Sequence, residues 1–151
     1  MISLLKKKPY FNNEEQQHIV STIREAELQT SGEIRLFIES RCKSGDALQR
    51  ATELFSKLNM HQTAQRNAVI LYIAMKDKKL AVFGDQGIHN IVTDTYWNET
   101  VQSLTQNFLA EKYVDGIINA IKDIAEKLRI HFPYLSTTDK NELPDDIVFG
   151  D

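Results

Sequence analysis

Two apolar runs, Asn67 to Met75 (NAVILYIAM) and Lys79 to Phe83 (KLAVF), are separated only by Lys76, Asp77 and Lys78. That spacing constrains the chain more than any other feature. A connection so short cannot carry a crossover, so the two runs form an antiparallel hairpin. Upstream, Glu33 to Ser40 (EIRLFIES) is rich in β-formers and nearly continuous in apolar residues at Ile34, Leu36, Phe37 and Ile38. Such a run suits an interior strand covered on both faces. Between it and the hairpin, Ala47, Leu48, Ala51, Leu54, Phe55 and Leu58 recur at three-and-four spacing, predicting an amphipathic helix over 46–58. Strand, helix and strand make a βαβ unit, so the first two strands are parallel and the third antiparallel to the second.

Further helices flank this core. Asn12 and Asn13 ahead of Glu14, Glu15 and Gln16 read as a helix start, with Ile19, Val20, Ile23 and Ala26 on one face and Gly32 as a left-handed stop after about residue 30. Short helical pieces are expected near 88–92 and along Trp97, Val101, Leu104 and Phe108. The clearest helix runs from about 113 to 131, with Val114, Ile117, Ile118, Ile121, Ile124, Ala125 and Leu128 on one face, and Pro133 halts it. The fold class expected is α/β, a three-layer α/β/α sandwich in which a small mixed sheet has helices on both faces. Residues 1–132 form the expected domain. From 133 to 151 the periodicity fades and Asp139, Glu142, Asp145, Asp146 and Asp151 face a lone lysine, so an acidic, flexible tail is expected.

Composition excludes several function classes. A chain of 151 residues with 42% hydrophobic content is one globular domain. A net charge of -3 lacks the basic footprint of a nucleic-acid binder. Cys42 is the sole cysteine, so neither an internal disulfide nor a multi-cysteine metal site can form. The four histidines, His18, His61, His89 and His131, are too scattered for a local metal pair. No run approaches the roughly 18 apolar residues of a membrane span, and Ile2, Leu4 and Leu5 precede Lys6, Lys7 and Lys8, the reverse of a signal peptide. The expectation is a cytoplasmic monomer with no nucleic-acid partner. Motifs for phosphate loops, dinucleotides, zinc proteases, EF-hands and serine hydrolases are absent from the sequence.

Topology supplies the candidate site. The end of the third strand meets the beginnings of the first two, which brings Glu33, Asn67 and Asp85 to one sheet edge, with Glu27 and Asp94 on neighbouring connections. Oxygen ligands gathered from loops suit a hard cation, Ca²⁺ before Mg²⁺. Equally, Asp85 can serve only its Gly-Asp-Gln-Gly turn and Glu33 can be a solvated strand end. The rival location is the opposite edge, where Glu39, Ser40 and Arg41 leave the first strand, joined by Asp77.

Four segments together resemble the TPM domain, a family named for a thylakoid lumen protein, a photosystem II repair protein and an acetylcholine-receptor auxiliary protein. They are Thr30 to Ile34 (TSGEI), Arg66 to Leu71 (RNAVIL), Phe83 to Ile88 (FGDQGI) and Phe108 to Ala120 (FLAEKYVDGIINA), within a similarity spanning Phe11 to Leu128. The resemblance implies an α/β/α sandwich and a divalent-metal site at the Gly84 to Gly87 loop. It carries Asp85 and Asp94 over as metal ligands, with Glu33 and Asp115 joining them. Some family members are described as acid phosphatases. The expected function is therefore a cation-binding accessory module, for which an unidentified protein partner remains open; the alternative is a metal-assisted phosphomonoesterase with no catalytic residue assigned.

Overall fold

The computed structural model describes residues 10–93, 95–135 and 147–150. Element order is α1 (Asn13–Glu27), β1 (Glu33–Glu39), α2 (Ala47–Lys57), β2 (Ala68–Ala74), β3 (Lys79–Gly84), α3 (Gln86–His89), α4 (Asn98–Leu109), α5 (Tyr113–His131) and β4 (Val148–Phe149). The sheet order is β3-β2-β1-β4. As the spacing requires, β1 and β2 are parallel, with Glu33 opposite Ala68, and β2 and β3 are antiparallel, with Ala74 opposite Lys79.

Every residue of β2 is buried, and alternation assigns each to one of two cores. Val69, Leu71 and Ile73 join Ile34, Leu36 and Ile38 of β1 beneath the inward faces of α1, α4 and α5. Ala68, Ile70, Tyr72 and Ala74 point the other way, toward Ala51, Leu54 and Phe55 of α2. Helices therefore lie on both faces, and the α/β/α architecture is the observed one. Full burial of each Ile or Leu stabilises the fold by about 1.5–3 kcal/mol, which makes the sheet's two faces its main source of stability.

Local chemistry sets the helix starts. Asn12 and Glu15 form a reciprocal capping box on α1, side chain to backbone amide at 2.8 and 2.9 Å. Asp46 caps α2 through the amides of Leu48 and Gln49. The stop of α1 differs from expectation. The helix ends at Glu27, and among the described residues Gly45 is the glycine with positive φ. Gly32 instead meets a packing demand, since a Cβ there would sit 2.9 Å from the Leu128 side chain and 3.1 Å from the Asn67 carbonyl.

A second difference concerns the expected tail. Residues 147–150 return to the sheet as β4, parallel to β1 and in register with Phe37 and Ile38, and the Gly150 amide donates to the Ile38 carbonyl at 2.7 Å. Within the acidic segment, 136–146 and Asp151 lie outside the described residues. The physical reason is that Ile147, Val148 and Phe149 offer a short apolar strand to an otherwise unpaired edge of β1, which local charge does not reveal. Removing residues 147–151 should accordingly lower stability by about 1–2 kcal/mol, from lost pairing and partial apolar burial. Calorimetry should show this as a fall in Tm of roughly 2–8 °C.

Candidate functional site

Ala68 is the meeting point of the predicted edge. Glu33 is its register partner on β1, and the Asp85 amide donates to its carbonyl at 2.9 Å. Glu33, Asn67 and Asp85 are all buried here, at 3%, 1% and 4% exposure. The topological juxtaposition read from the sequence is therefore present, but the carboxylates do not converge. Glu33 and Asp85 stand two strands apart, about 10 Å between backbones. Among the described residues no three His, Cys, Asp or Glu side chains are placed to share a metal ion.

Each group has its own local work. Arg66 grips Asp85 with both arms, Nε to Oδ2 at 2.8 Å and Nη2 to Oδ1 at 2.9 Å, and the carboxylate raises the guanidinium's pKa above its ordinary value by hydrogen bonding to it. Asp85 Oδ1 also accepts from the Gln86 amide at 2.7 Å, capping α3. The Glu27 carboxylate accepts from the Ile34 amide at 2.9 Å, tying the end of α1 to β1. The Asn67 side-chain amide donates to Ser31 Oγ at 3.2 Å. The Gly-Asp-Gln-Gly loop needs its second glycine because a Cβ at Gly87 would fall 2.3 Å from the Gln65 carbonyl oxygen and 2.6 Å from that of Arg66. The start of α3 thus presses directly on the loop that carries Arg66.

Asp115 is not part of this edge. It lies in the first turn of α5, whereas Leu128 of the same helix packs beside Gly32; thirteen residues of helix put Asp115 roughly 20 Å away. It lines a different hollow with Tyr10, Glu15 and Lys112, and the Tyr10 hydroxyl is bonded to Ser40, beyond the far end of β1. Asp94 lies outside the described residues. The four-acid cluster of the sequence reading is corrected accordingly: Asp85 and Glu33 share an edge, and Asp115 does not reach it.

The opposite edge holds a polar network whose full membership sequence reasoning missed. Glu39, buried to 3%, accepts from Arg50 Nε at 2.9 Å, Arg50 Nη2 at 3.0 Å and the Tyr72 hydroxyl at 2.5 Å. Burial alone would push the Glu39 carboxyl up, but Arg50 and Tyr72 outweigh it and hold it below the usual carboxylate range. Burial, reinforced by Glu39, pushes the Tyr72 phenol well above its ordinary value. Nearby, Asp77 accepts from the Cys42 amide at 2.7 Å and pairs with Arg41 at 3.2 Å. The overlooked sign was Arg50, a charge four residues before Leu54 on the apolar stripe of α2. Such a residue must bring its own counter-charge into the core.

A mixed four-stranded sheet between helical layers, with Gly-Asp-Gln-Gly closing its third strand, defines a small α/β/α domain. The chain belongs to the TPM domain family, whose model matches residues 6–127. The structure is similar to the NMR structure of BA42 protein from the psychrophilic bacterium Bizionia argentinensis, at 34% identity and a TM-score of 0.87, covering 96% of this chain and 99% of that one. It also resembles the N-terminal domain of cg2496 protein from Corynebacterium glutamicum, at 12% identity and a TM-score of 0.61, covering 82% and 86% of the two chains. That second likeness shows the fold alone. No curated protein sequence matches the chain. No helix among the described residues is long and apolar enough to cross a membrane.

The Glu39 network has a pH signature. Because the folded carboxyl is held below its unfolded value, its contribution is present above about pH 4–5 and is lost as pH falls through the folded value. Tyr72→Phe removes one donor to the carboxylate, so it should cost about 1–2 kcal/mol at neutral pH. Acid unfolding followed by circular dichroism should show its midpoint moved to higher pH than in the parent protein.

Proposed function

We propose that this chain is a divalent-cation-binding accessory module, with Ca²⁺ favoured and Mg²⁺ the alternative, whose site is the edge where β3 ends and β1 and β2 begin. One observation carries the reading: the Asp85 carboxylate is buried, yet the Arg66 side chain that neutralises it is 45% exposed. A buried carboxylate requires a positive partner. Here that place is held by a side chain able to swing into solvent, so a cation can exchange with it. Asn67 and Ser31 carry further oxygen atoms along the same edge, and Glu33 and Asp94 enter the site by the family resemblance. Few carboxylates then share the ion, and backbone carbonyls and water complete its shell. Loosely ligated sites of that kind bind Ca²⁺ in about the 10⁻⁴–10⁻³ M range.

The phosphomonoesterase alternative gains no support from the geometry. Arg66, the basic group beside Asp85, commits both arms to that carboxylate rather than presenting them to a phosphate.

Competition between Arg66 and the ion gives the test an internal control. Thermal melts of the native protein should rise with millimolar Ca²⁺, which is about 1–10 times that dissociation constant, by about 0.4–1.4 kcal/mol, or roughly 1–6 °C. Asp85→Asn should lose most of the response, and Arg66→Ala should respond at lower Ca²⁺ than the parent. A native protein whose melts and titration calorimetry ignore millimolar Ca²⁺, or an Asp85→Asn variant that responds as the parent does, would show the site to be elsewhere or absent.

A further inference from the structure

The third strand, β3, forms one edge of the sheet, and no described strand pairs with its outer side. Asp85 and Ala68 are a hydrogen-bonded pair of the antiparallel ladder, so the pairs 70/83, 72/81 and 74/79 point their amides and carbonyls between the strands. Leu80, Val82 and Gly84 therefore turn theirs outward, and no described residue outside the sheet bonds to those groups. These same residues floor a groove of about 600 Å³. Leu48 and Thr52 of α2 wall it on one face, and Trp97, Val101 and Gln102 at the start of α4 wall it on the other.

We propose that this groove takes one extended peptide segment of a partner protein, added to the sheet as a fifth strand along β3. Main-chain groups of Leu80, Val82 and Gly84 supply the pairing, and the two walls read alternate side chains. Residues facing α2 meet Leu48, Thr52 and Phe83, while those facing α4 meet Val82, Trp97 and Val101. Both sets are predominantly apolar, so the segment is β-branched or apolar on both faces. Its charge is set at the hairpin end. Lys76, Lys78 and Lys79 are exposed there, while the intervening Asp77 is taken up by Arg41 and the Cys42 amide. The peptide accordingly carries acidic residues at the end nearest Lys78 and Lys79.

The test titrates the full ¹⁵N-labelled chain, up to millimolar, with a blocked nonapeptide of seven alternating Val and Thr residues after two Asp. Binding should shift the amide resonances of Leu80, Val82 and Gly84 and slow their hydrogen exchange. N-methylation of one alternate set of peptide amides should abolish binding, and methylation of the intervening set should leave it. Leu48→Asp, at a position already 53% exposed, should weaken binding about tenfold while leaving the melting temperature near that of the parent. The proposal is overturned by no binding at millimolar peptide, by shifts centred away from β3, by an N-methyl scan without alternation, or by a concentration-dependent dimer of the protein alone that buries the β3 edge.

Discussion

A strand with no face in water is the constraint from which the rest of this structure follows. Along β2 every side chain is buried, so layers are needed above and below, and the chain supplies them from opposite sources. The βαβ crossover lays α2 on one face, and α1, α4 and α5 together cover the other. Edge strands follow from the same demand. A hairpin contributes β3 on one side, and Val148 and Phe149 contribute β4 beside β1 on the other. The two edges end differently, since β1 acquires a partner from its own chain while β3 turns outward amides and carbonyls that no described residue takes up.

Two buried carboxylates lie at opposite ends of this apolar slab, and each is paired with an arginine. At one end Arg66 neutralises Asp85, and at the other Arg50 neutralises Glu39 while the Tyr72 hydroxyl donates to it. The pairs differ in what surrounds them. Arg50 is mostly buried, 21% exposed against 45% for Arg66, so the Glu39 network is a fixed part of the α2 packing. The Asp85 pair borders solvent, at the junction of three strands and a glycine-tight loop. Burial, more than the identity of the ions, is what separates the two pairs.

Membership in the TPM domain family and the close likeness to BA42 protein place the fold firmly. Chemistry has to be argued from this chain's own side chains. Glu33, Asn67 and Asp85 could be placed together from sequence because strand direction is set by connection length, which is a local quantity. Arg66, next to Asn67, could be placed near Asp85 in the same way, but only the structure shows both its arms committed to that carboxylate. Asp115 was misplaced for another reason. A motif match gives no distance along a helix, and α5 carries that residue to the other end of the domain.

By itself, the sequence determined strand order within the hairpin and crossover, the inward faces of α1, α2 and α5, and the existence of helical layers on both sides of the sheet. These depend on periodicity and loop length, which act over a few residues. Tertiary structure alone decided that residues 147–150 pair with β1, that Gly32 serves close packing against Leu128 rather than a helix stop, and that Arg50, Tyr72 and Glu39 share one buried network. Each of these joins groups between 11 and 112 positions apart. The energies involved depend on the water each contact excludes, and that exclusion exists only once the layers have closed.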